Sequence, residues 1–156
     1  MHDVVVVGGG PAGMHAAGRL ARRGRDVLVI EEDLGPGDPV HCTGVLAREA
    51  FDEFDLTRDV ILNELTTARF VSPCGHVLLH RTPTVEAVVI DRRGLDVHLA
   101  REATRWGARL LLGHRVTDIS IQADGVSVRH ADGNTVRARL CVLATGGRYA
   151  LHRRVG

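Results

Sequence analysis

Three glycines near the amino terminus have the spacing of a loop that binds the phosphates of a dinucleotide. Gly8, Gly10 and Gly13 follow four consecutive valines in the order G-x-G-x-x-G. In such a loop the first glycine allows a tight turn, the second lets the backbone approach a pyrophosphate, and the third lets the next helix pack closely on the strand. With Pro11 and Ala12 at the start of that helix, the motif predicts a pyrophosphate site, the alternative being a glycine-rich turn without a ligand.

Two carboxylates follow the next apolar run. Glu31 comes directly after residues 26–30, DVLVI. A carboxylate at the end of the second strand of a β-α-β unit can accept hydrogen bonds from the hydroxyls of an adenosine ribose, and its charge repels a 2′-phosphate. Glu31 therefore favours FAD or NAD over NADP. Glu32 is taken with it as a candidate cofactor-binding residue, although a solvated acidic loop residue is an equally good description of Glu32.

The apolar pattern predicts the elements that position these residues. The valine run, residues 11–23 and residues 26–30 form a β-α-β unit, because continuous β-branched runs are typical of buried parallel strands. Helices are also expected over residues 45–54 and between Asp91, a capping residue, and Gly107. Further strands are expected at 68–71, 77–80, 87–90, 108–113, 116–121, 126–130, 136–139 and 140–147, with a hairpin turn at 131–134.

This order of elements predicts an α/β fold. The expected architecture is a Rossmann-like FAD/NAD(P)-binding domain, in which a parallel sheet carries helices and an antiparallel β insertion. A chain of 156 residues, 44% of them hydrophobic, buries one core. Residues 1–156 are therefore expected to be a single dinucleotide-binding domain.

Composition argues against several kinds of partner and site. The 20 basic and 19 acidic side chains nearly cancel, so no overall field favours nucleic acid, and the apolar runs are too short for a transmembrane segment, which predicts a soluble protein. Three cysteines without a C-x-x-C pair favour a reducing, cytoplasmic setting. The spacings of His41, Cys42, Cys74 and His76 do not match a structural zinc site, so no metal site is predicted.

Taken together, these segments resemble the flavoproteins that have two dinucleotide-binding domains. Besides the glycine motif and Glu31, residues 91–103, DRRGLDVHLAREA, resemble the Arg-x-x-Leu helix start of that family. Residues 140–156, LCVLATGGRYALHRRVG, resemble the strand, turn and basic tail of aromatic hydroxylases and geranylgeranyl reductases. The resemblance implies FAD as the cofactor, with NADH or NADPH as an external reductant.

The same resemblance implies further cofactor contacts. Arg92 would contact the cofactor, the backbone of Val116 would meet the adenine edge, and the turn formed by Ala144, Thr145 and Gly146 would lie near the pyrophosphate. The basic tail also contains Arg148, Arg153 and Arg154. A solvated basic turn is the favoured interpretation of these arginines, and a phosphate site is the alternative.

One loop resembles the geranylgeranyl reductase branch in particular. Residues 41–51, HCTGVLAREAF, are similar to a cysteine-containing loop that passes close to the flavin and the lipid pocket in that branch. The resemblance implies that Cys42 and Gly44 bind the cofactor. Cys42 is also the candidate catalytic residue, as a proton donor or redox thiol, although a lone cysteine is more often a small packed residue.

The expected function is that of an FAD-binding oxidoreductase domain, with reduction of prenyl double bonds as the leading activity. An FAD-dependent monooxygenase and a non-catalytic FAD-binding remnant or interaction module are the alternatives. Relatives in this group continue with a second cofactor motif and a substrate-binding sheet. We therefore expect the N-terminal part of a longer flavoprotein, inactive by itself, whose partners are the cofactor and a prenyl lipid, with peripheral membrane contact left open.

Overall fold

The computed structural model describes residues 1–40 and 42–155. Along the chain the elements are β1 (His2–Val7), α1 (Pro11–Ala21), β2 (Val27–Ile30), β3 (Val45–Ala47), α2 (Ala50–Glu53), a 3₁₀ helix (Arg58–Val60), β4 (Ile61–Leu65), β5 (Thr67–Val71), β6 (Val77–Arg81), β7 (Ala87–Ile90), α3 (Arg92–Arg105), β8 (Arg109–Leu111), β9 (Val116–Gln122), β10 (Gly125–His130), β11 (Thr135–Leu143) and α4 (His152–Val155). The chain divides into two compact units, Met1–Pro39 with Asp96–Gly156, and Val40–Leu95.

The first unit is built on a sheet in the strand order β8-β2-β1-β11-β10-β9. The first four of these strands are parallel, β10 pairs antiparallel with β11, and β9 pairs antiparallel with β10. β11 joins the two parts, because Ala138 pairs with Val126 of β10 on one side and with His2 of β1 on the other. The predicted α/β class, with its parallel sheet and antiparallel addition, is confirmed.

Both faces of this sheet are covered by apolar side chains. On one face, Val5 and Val7 belong to a buried cluster that also contains side chains of β2, β9, β10 and β11. The helix α1 packs on β1 and β2 and buries Met14 and Ala17 completely. Residues 4–7 of β1 are all buried, which explains why this strand has a continuous apolar sequence and not an alternating one.

The second unit contains antiparallel strands. One sheet has the order β3-β7-β4, and β5 and β6 form a separate two-stranded hairpin. Phe51 of α2 and Val88 of β7 are its most deeply buried large side chains. The predicted strands at 68–71, 77–80 and 87–90 correspond to β5, β6 and β7.

The predicted elements differ from the observed ones in three places. The helix expected over residues 45–54 begins only at Ala50, because Val45 to Ala47 pair as a strand with β7 and this pairing overrides the local helical pattern. The strand β4 was missed because a bulge between Ile61 and Asn63 interrupts its alternation. The strands expected at 136–139 and 140–147 are the single strand β11.

No helix within the described residues is both long enough and apolar enough to span a bilayer.

Candidate dinucleotide-binding site

The glycine loop lies at the carboxyl end of the central strand β1. The Gly8 N–H donates to the carbonyl of Ile30 at the end of β2 (2.9 Å), and the Ala144 N–H donates to the carbonyl of Val7 (2.8 Å). The loop therefore adjoins the ends of β2 and β11. The chain runs from β1 to β2 on one side and returns as β11 on the other, and ligands of α/β sheets bind at such a reversal of strand order.

Two of the motif glycines are required by the packing of the protein itself. Gly8 has a φ of +105°, and a Cβ at this position would lie 2.3 Å from the carbonyl oxygen of Ala144. A Cβ on Gly13 would lie 1.9 Å from the carbonyl oxygen of Gly8. These two glycines let strand, loop and helix approach one another, so they would be needed whether or not a ligand binds.

Gly10 is different, because nothing in the fold demands a glycine there. Its φ of −70° and ψ of −178° are extended backbone angles that any residue adopts. A Cβ on Gly10 would meet no atom of the described residues within 4 Å. The absence of a side chain at Gly10 leaves open space directly at the start of α1.

The start of α1 offers hydrogen-bond donors next to this space. Within the described part of the chain, Gly10 provides no side-chain cap and the first turn has no acidic residue. The first backbone bond of the helix runs from the Met14 N–H to the Gly10 carbonyl (2.9 Å), so the N–H groups of Ala12 and Gly13 precede the helical ladder. Donors and positive partial charge at an open helix start fit an anionic group such as a pyrophosphate.

Glu31 braces the glycine loop with its carboxylate. The Gly9 N–H donates a short hydrogen bond to Oε2, and the Asp33 N–H donates to Oε1 at 2.9 Å. A Cβ on Gly9 would lie 3.0 Å from the Cβ and Cγ of Glu31, so the backbone and this side chain are in close contact. A carboxylate has about four acceptor positions, which leaves room for ribose hydroxyls beside the two backbone donors.

Sequence reasoning did not single out Gly9. Val7 and Ile30 are paired in the parallel register of β1 and β2, so the residues that follow the two strands are neighbours. That register is the signal from which the Gly9–Glu31 contact could have been found.

Glu32 points to two arginines. Arg148 Nη1 is in close contact with Glu32 Oε1, and Arg115 Nε lies 3.8 Å from Oε2. The carboxylate thus links the turn after β11 to the connection between β8 and β9. Since both guanidinium groups are largely exposed, these pairs contribute little to stability, about 0 to 1 kcal/mol each.

The turn after β11 lies beside the glycine loop. The Ala144 Cβ would be 3.2 Å from a Cβ on Gly13. The Thr145 hydroxyl donates to the Arg148 carbonyl at 2.8 Å, and it lies 3.1 Å from His152 Nε2. Gly146 follows with a φ of +57°. The first unit therefore brings together the glycine loop, Glu31 and this turn, and their contacts with a cofactor stay predictions.

Val116 is the first residue of β9 and is buried. It is paired with His130 of β10 across a register shift. The preceding residue, Arg115, accepts a backbone hydrogen bond from Ala131 (2.8 Å). This places the start of β9 firmly in the sheet, and the contact of Val116 with an adenine stays a prediction.

Three predicted cofactor residues belong to the second unit. Cys42 is exposed, and its Sγ accepts a hydrogen bond from the Gly44 N–H at 3.4 Å. Gly44 has a φ of +73°, and a Cβ there would lie 2.7 Å from the carbonyl oxygen of Ile90, so packing against β7 explains this glycine. Arg92 is the half-buried first residue of α3. The contacts of these residues with a cofactor stay predictions, and His41 lies outside the described residues.

Comparisons with known proteins agree with this geometry. The sequence profile of a family described as "Pyridine nucleotide-disulphide oxidoreductase" matches residues 2–153. The chain belongs to this family of FAD-binding flavoproteins. The predicted resemblance is thereby confirmed, and so are FAD as the cofactor of the family and the type of domain.

The relatives of this chain include reductases and a monooxygenase. The chain is 35% identical to a digeranylgeranylglycerophospholipid reductase of Methanocella arvoryzae over 153 residues, which cover 93% of this chain and 39% of the reductase. It is 32% identical to a rifampicin monooxygenase of Streptomyces venezuelae over 165 residues, covering all of this chain and 34% of that enzyme.

A solved structure agrees in fold as well as in sequence. The crystal structure of a geranylgeranyl bacteriochlorophyll reductase-like protein from Thermoplasma acidophilum matches with a TM-score of 0.84 and 30% identity, covering 99% of this chain and 42% of that one. The flavoprotein chain thus spans about two fifths of the length of the reductases that it matches.

The Glu31 carboxylate provides a first test of the site. We expect Glu31→Ala to weaken FAD binding by the flavoprotein roughly ten- to a hundred-fold, because a hydrogen bond to a charged group contributes about 1.5 to 3 kcal/mol. The dissociation constant would be measured by quenching of flavin fluorescence. Asp33→Ala is the matched control, since Asp33 contributes its backbone N–H to Glu31 and keeps it in the variant. Equal affinities for the Glu31→Ala variant and the wild type, with both folded, would remove Glu31 from the site.

The three cysteines of the flavoprotein differ in environment and should differ in reactivity. Burial raises the pKa of the Cys141 thiol to about 11, whereas a hydrogen bond with the Ser72 hydroxyl lowers the pKa of Cys74. Cys42 and Cys74 are exposed. Since the thiolate is the reactive form, iodoacetamide at pH 8 should modify Cys74 much faster than Cys141. Peptide mass spectrometry measures both rates, and urea should abolish the difference. Equal rates in the native protein would contradict the burial of Cys141.

Proposed function

We propose that this chain is the FAD-binding portion of a reductase that saturates double bonds of prenyl lipids, with NADH or NADPH as the external reductant. The proposal rests above all on the open space at Gly10, beside the braced Glu31, in a chain that is 35% identical to a digeranylgeranylglycerophospholipid reductase. Residues 1–156 then form a single FAD-binding domain, the N-terminal part of a longer flavoprotein.

The site residues divide between the parts of the cofactor. The open start of α1, with Gly8, Gly10, Pro11, Ala12 and Gly13, would hold the pyrophosphate together with the turn at residues 144–146. Glu31 would accept hydrogen bonds from the ribose of the adenosine, next to Glu32, and Val116 would meet the adenine. When bound, FAD supplies hydride transfer between a nicotinamide and a substrate, and the protein supplies position and electrostatics.

The remaining cofactor contacts are proposed from the family resemblance alone. Arg92, Cys42 and Gly44 are assigned to the cofactor by the resemblance of their segments. Cys42 is the candidate proton donor or redox thiol, and its exposed Sγ is accessible to a ligand. A Cys42→Ser variant should therefore alter the absorption spectrum of bound FAD if this loop adjoins the flavin.

A prenyl lipid needs an apolar surface, and the second unit has one. The hairpin of β5 and β6 exposes Phe70, Val71, Val77, Leu78 and Leu79, each by about half or more of its surface. This surface supports a lipid substrate or a peripheral contact with a membrane. We also propose a cytoplasmic location, which is supported by the three unpaired cysteines.

A monooxygenase is the second candidate. It is favoured by the 32% identity to a rifampicin monooxygenase over the whole chain. Both candidates need the same FAD-binding portion, so the glycine loop does not distinguish them. The product does, since a reductase adds two hydrogen atoms to a double bond and a monooxygenase inserts an oxygen atom.

The cofactor part of the proposal is tested by comparing flavins. The purified chain would be titrated with FAD and with FMN, which lacks the adenosine that Glu31 is proposed to hold. We expect much tighter binding of FAD. Equal affinity for the two flavins would overturn the assignment of the adenosine site.

The activity is tested with the 156-residue chain and with the product of the complete gene. Each would be reduced anaerobically with NADH or NADPH and mixed with a geranylgeranyl lipid, and the products identified by mass spectrometry. We expect a saturated lipid from the complete gene product and no turnover by the 156-residue chain. A hydroxylated product formed in air would establish the monooxygenase, and turnover by the short chain would show that its own residues complete the active site.

A further inference from the structure

Three potential metal ligands converge at one end of the first unit, outside the glycine loop. His114 lies in the connection between β8 and β9, His130 ends β10, and Asp132 lies in the turn between β10 and β11. Their donor atoms all lie within 4.8 Å of one another. Asp132 Oδ1 is 3.5 Å from His130 Nδ1, and Asp132 Oδ2 is 3.8 Å from His114 Nε2.

The His130 side chain is the unusual member of this cluster. It is only 5% exposed, and neither of its ring nitrogens has a hydrogen-bond partner among the described residues. Buried polar groups in folded proteins are almost always paired, and leaving one unpaired costs about 1 to 3 kcal/mol. A metal ion bound to the lone pair of this imidazole would provide one of the two ring nitrogens with a partner.

The other two side chains are held in the orientation that a metal ligand needs. His114 Nδ1 lies 2.7 Å from the carbonyl oxygen of Leu112, and as the N–H donor to that carbonyl it leaves Nε2 with a free lone pair. The Asn134 N–H and side-chain amide both donate to Asp132 at 3.0 Å. Both hydrogen bonds favour the charged carboxylate and fix its orientation. Such supporting hydrogen bonds are typical around metal ligands.

We propose that His114, His130 and Asp132 bind a divalent transition-metal ion with the preferences of Zn²⁺. Two imidazoles and one carboxylate are ligands that suit Zn²⁺, and a set of three leaves a fourth position for water. In a tetrahedral zinc site, neighbouring donor atoms are about 3.4 Å apart. Asp132 approaches that value through Oδ1 to His130 (3.5 Å) and through Oδ2 to His114 (3.8 Å), and with one donor atom from each residue all separations are within 4.8 Å.

An ion can reach this site from solvent. The side chains of His114 and Asp132 are 34% and 41% exposed, while His130 forms the buried floor. The rings of the two histidines meet edge to face with their centroids 5.5 Å apart. Since the donor atoms lie within 4.8 Å of one another, binding one ion requires them to contract toward a separation of about 3.4 Å.

The ion would join segments that carry the proposed adenosine contacts. The His114 N–H donates to the Glu31 carbonyl at 2.8 Å, and the Ala131 N–H donates to the Arg115 carbonyl at 2.8 Å. A metal bridge between His114 and Asp132 would therefore tighten the backbone on which Glu31 and Val116 lie. Metal binding itself does not depend on the FAD function.

The test uses the 156-residue chain, freed of metal with EDTA, and Zn²⁺ in competition with a chromophoric chelator. We expect one ion per chain. We expect His130→Gln and Asp132→Asn each to weaken binding at least 100-fold, because loss of a direct ligand should exceed the 10- to 100-fold effect of losing a supporting hydrogen bond. Zn²⁺ at 100 times its dissociation constant should raise the Tm of the wild type by about 5 to 10 °C.

Matched variants separate this cluster from other histidines and cysteines. Cys74 Sγ lies 3.7 Å from His76 Nδ1 on the exposed hairpin, so Cys74→Ser tests the rival pair, and His98→Gln tests a histidine of α3 outside the cluster. Both should bind Zn²⁺ like the wild type. Asp132 is exposed, so we expect the Asp132→Asn variant to fold. If the His130→Gln variant does not fold, the Asp132→Asn variant alone still tests the site. The proposal is overturned if the wild type shows no saturable binding, or if binding survives Asp132→Asn and is lost in Cys74→Ser.

Discussion

Replacing Gly10 with valine should abolish most FAD binding while leaving the fold nearly intact. The valine Cβ enters space that no atom of the described residues occupies, and the extended backbone at Gly10 suits a β-branched residue. The cost to the fold is that of a poorer helix cap, about 1 kcal/mol. The side chain fills the approach to the free N–H groups of α1. Loss of two hydrogen bonds to a charged pyrophosphate, each about 1.5 to 3 kcal/mol, weakens binding by roughly two to four orders of magnitude.

Measuring both the FAD affinity and the free energy of unfolding of the Gly10→Val variant shows whether the substitution acts on the ligand site or on the fold. FAD affinity would be measured by fluorescence titration, and the free energy of unfolding by urea denaturation of the cofactor-free chain. Gly35→Val is the matched control, because a Cβ on Gly35 also meets nothing within 4 Å among the described residues and its φ lies outside the left-handed region. That variant should bind FAD normally. If Gly10→Val binds FAD as tightly as the wild type does, the pyrophosphate does not lie at the start of α1.

The spacing of Gly8, Gly10 and Gly13 predicts that a glycine loop forms, but it does not predict which of the three glycines the fold requires and which a ligand requires. The spacing predicted all three, together with the strand before them and the helix after them, because each of these is a local feature of about a dozen residues. Which glycine serves the fold and which serves a ligand depends on what lies opposite. The neighbour of Gly8 is Ala144, which is distant in sequence and close only because β11 pairs with β1.

Long-range pairing also explains the parts of the fold that the sequence did not predict. Residues 45–47 have apolar side chains compatible with a helix, and only their hydrogen bonds with β7 make them a strand. His130 and Asp132 are neighbours in the sequence, but His114 comes from the separate connection between β8 and β9, so the three residues match no short metal-binding motif. Local patterns therefore located the glycine loop and Glu31, whereas sites assembled from distant loops required the folded chain.

Gly13→Ala should have the opposite consequence to the substitution at Gly10. Its Cβ would lie 1.9 Å from the Gly8 carbonyl oxygen, which is far inside van der Waals contact. That oxygen cannot move away easily, because Gly8 is fixed on two sides. The Gly8 N–H donates to the carbonyl of Ile30 at the end of β2, and the backbone of Ala144 occupies the position where a Cβ on Gly8 would lie. Forcing extra atoms into a well-packed core costs about 1 to 3 kcal/mol, and more when the backbone must shift. We therefore expect a loss of about 3 kcal/mol in the free energy of unfolding.

The same helix provides the control for this last prediction. A Cβ on Gly18 would lie 3.4 Å from the Cα of Ala103, which is an ordinary contact. Gly18→Ala replaces a glycine within α1 by the best helix former, which favours the helix by up to about 1 kcal/mol. Urea denaturation should therefore give a much lower midpoint for Gly13→Ala and an unchanged or higher midpoint for Gly18→Ala. Similar midpoints for the two variants would mean that helix and glycine loop are not packed as closely as the Gly8–Gly13 contact requires.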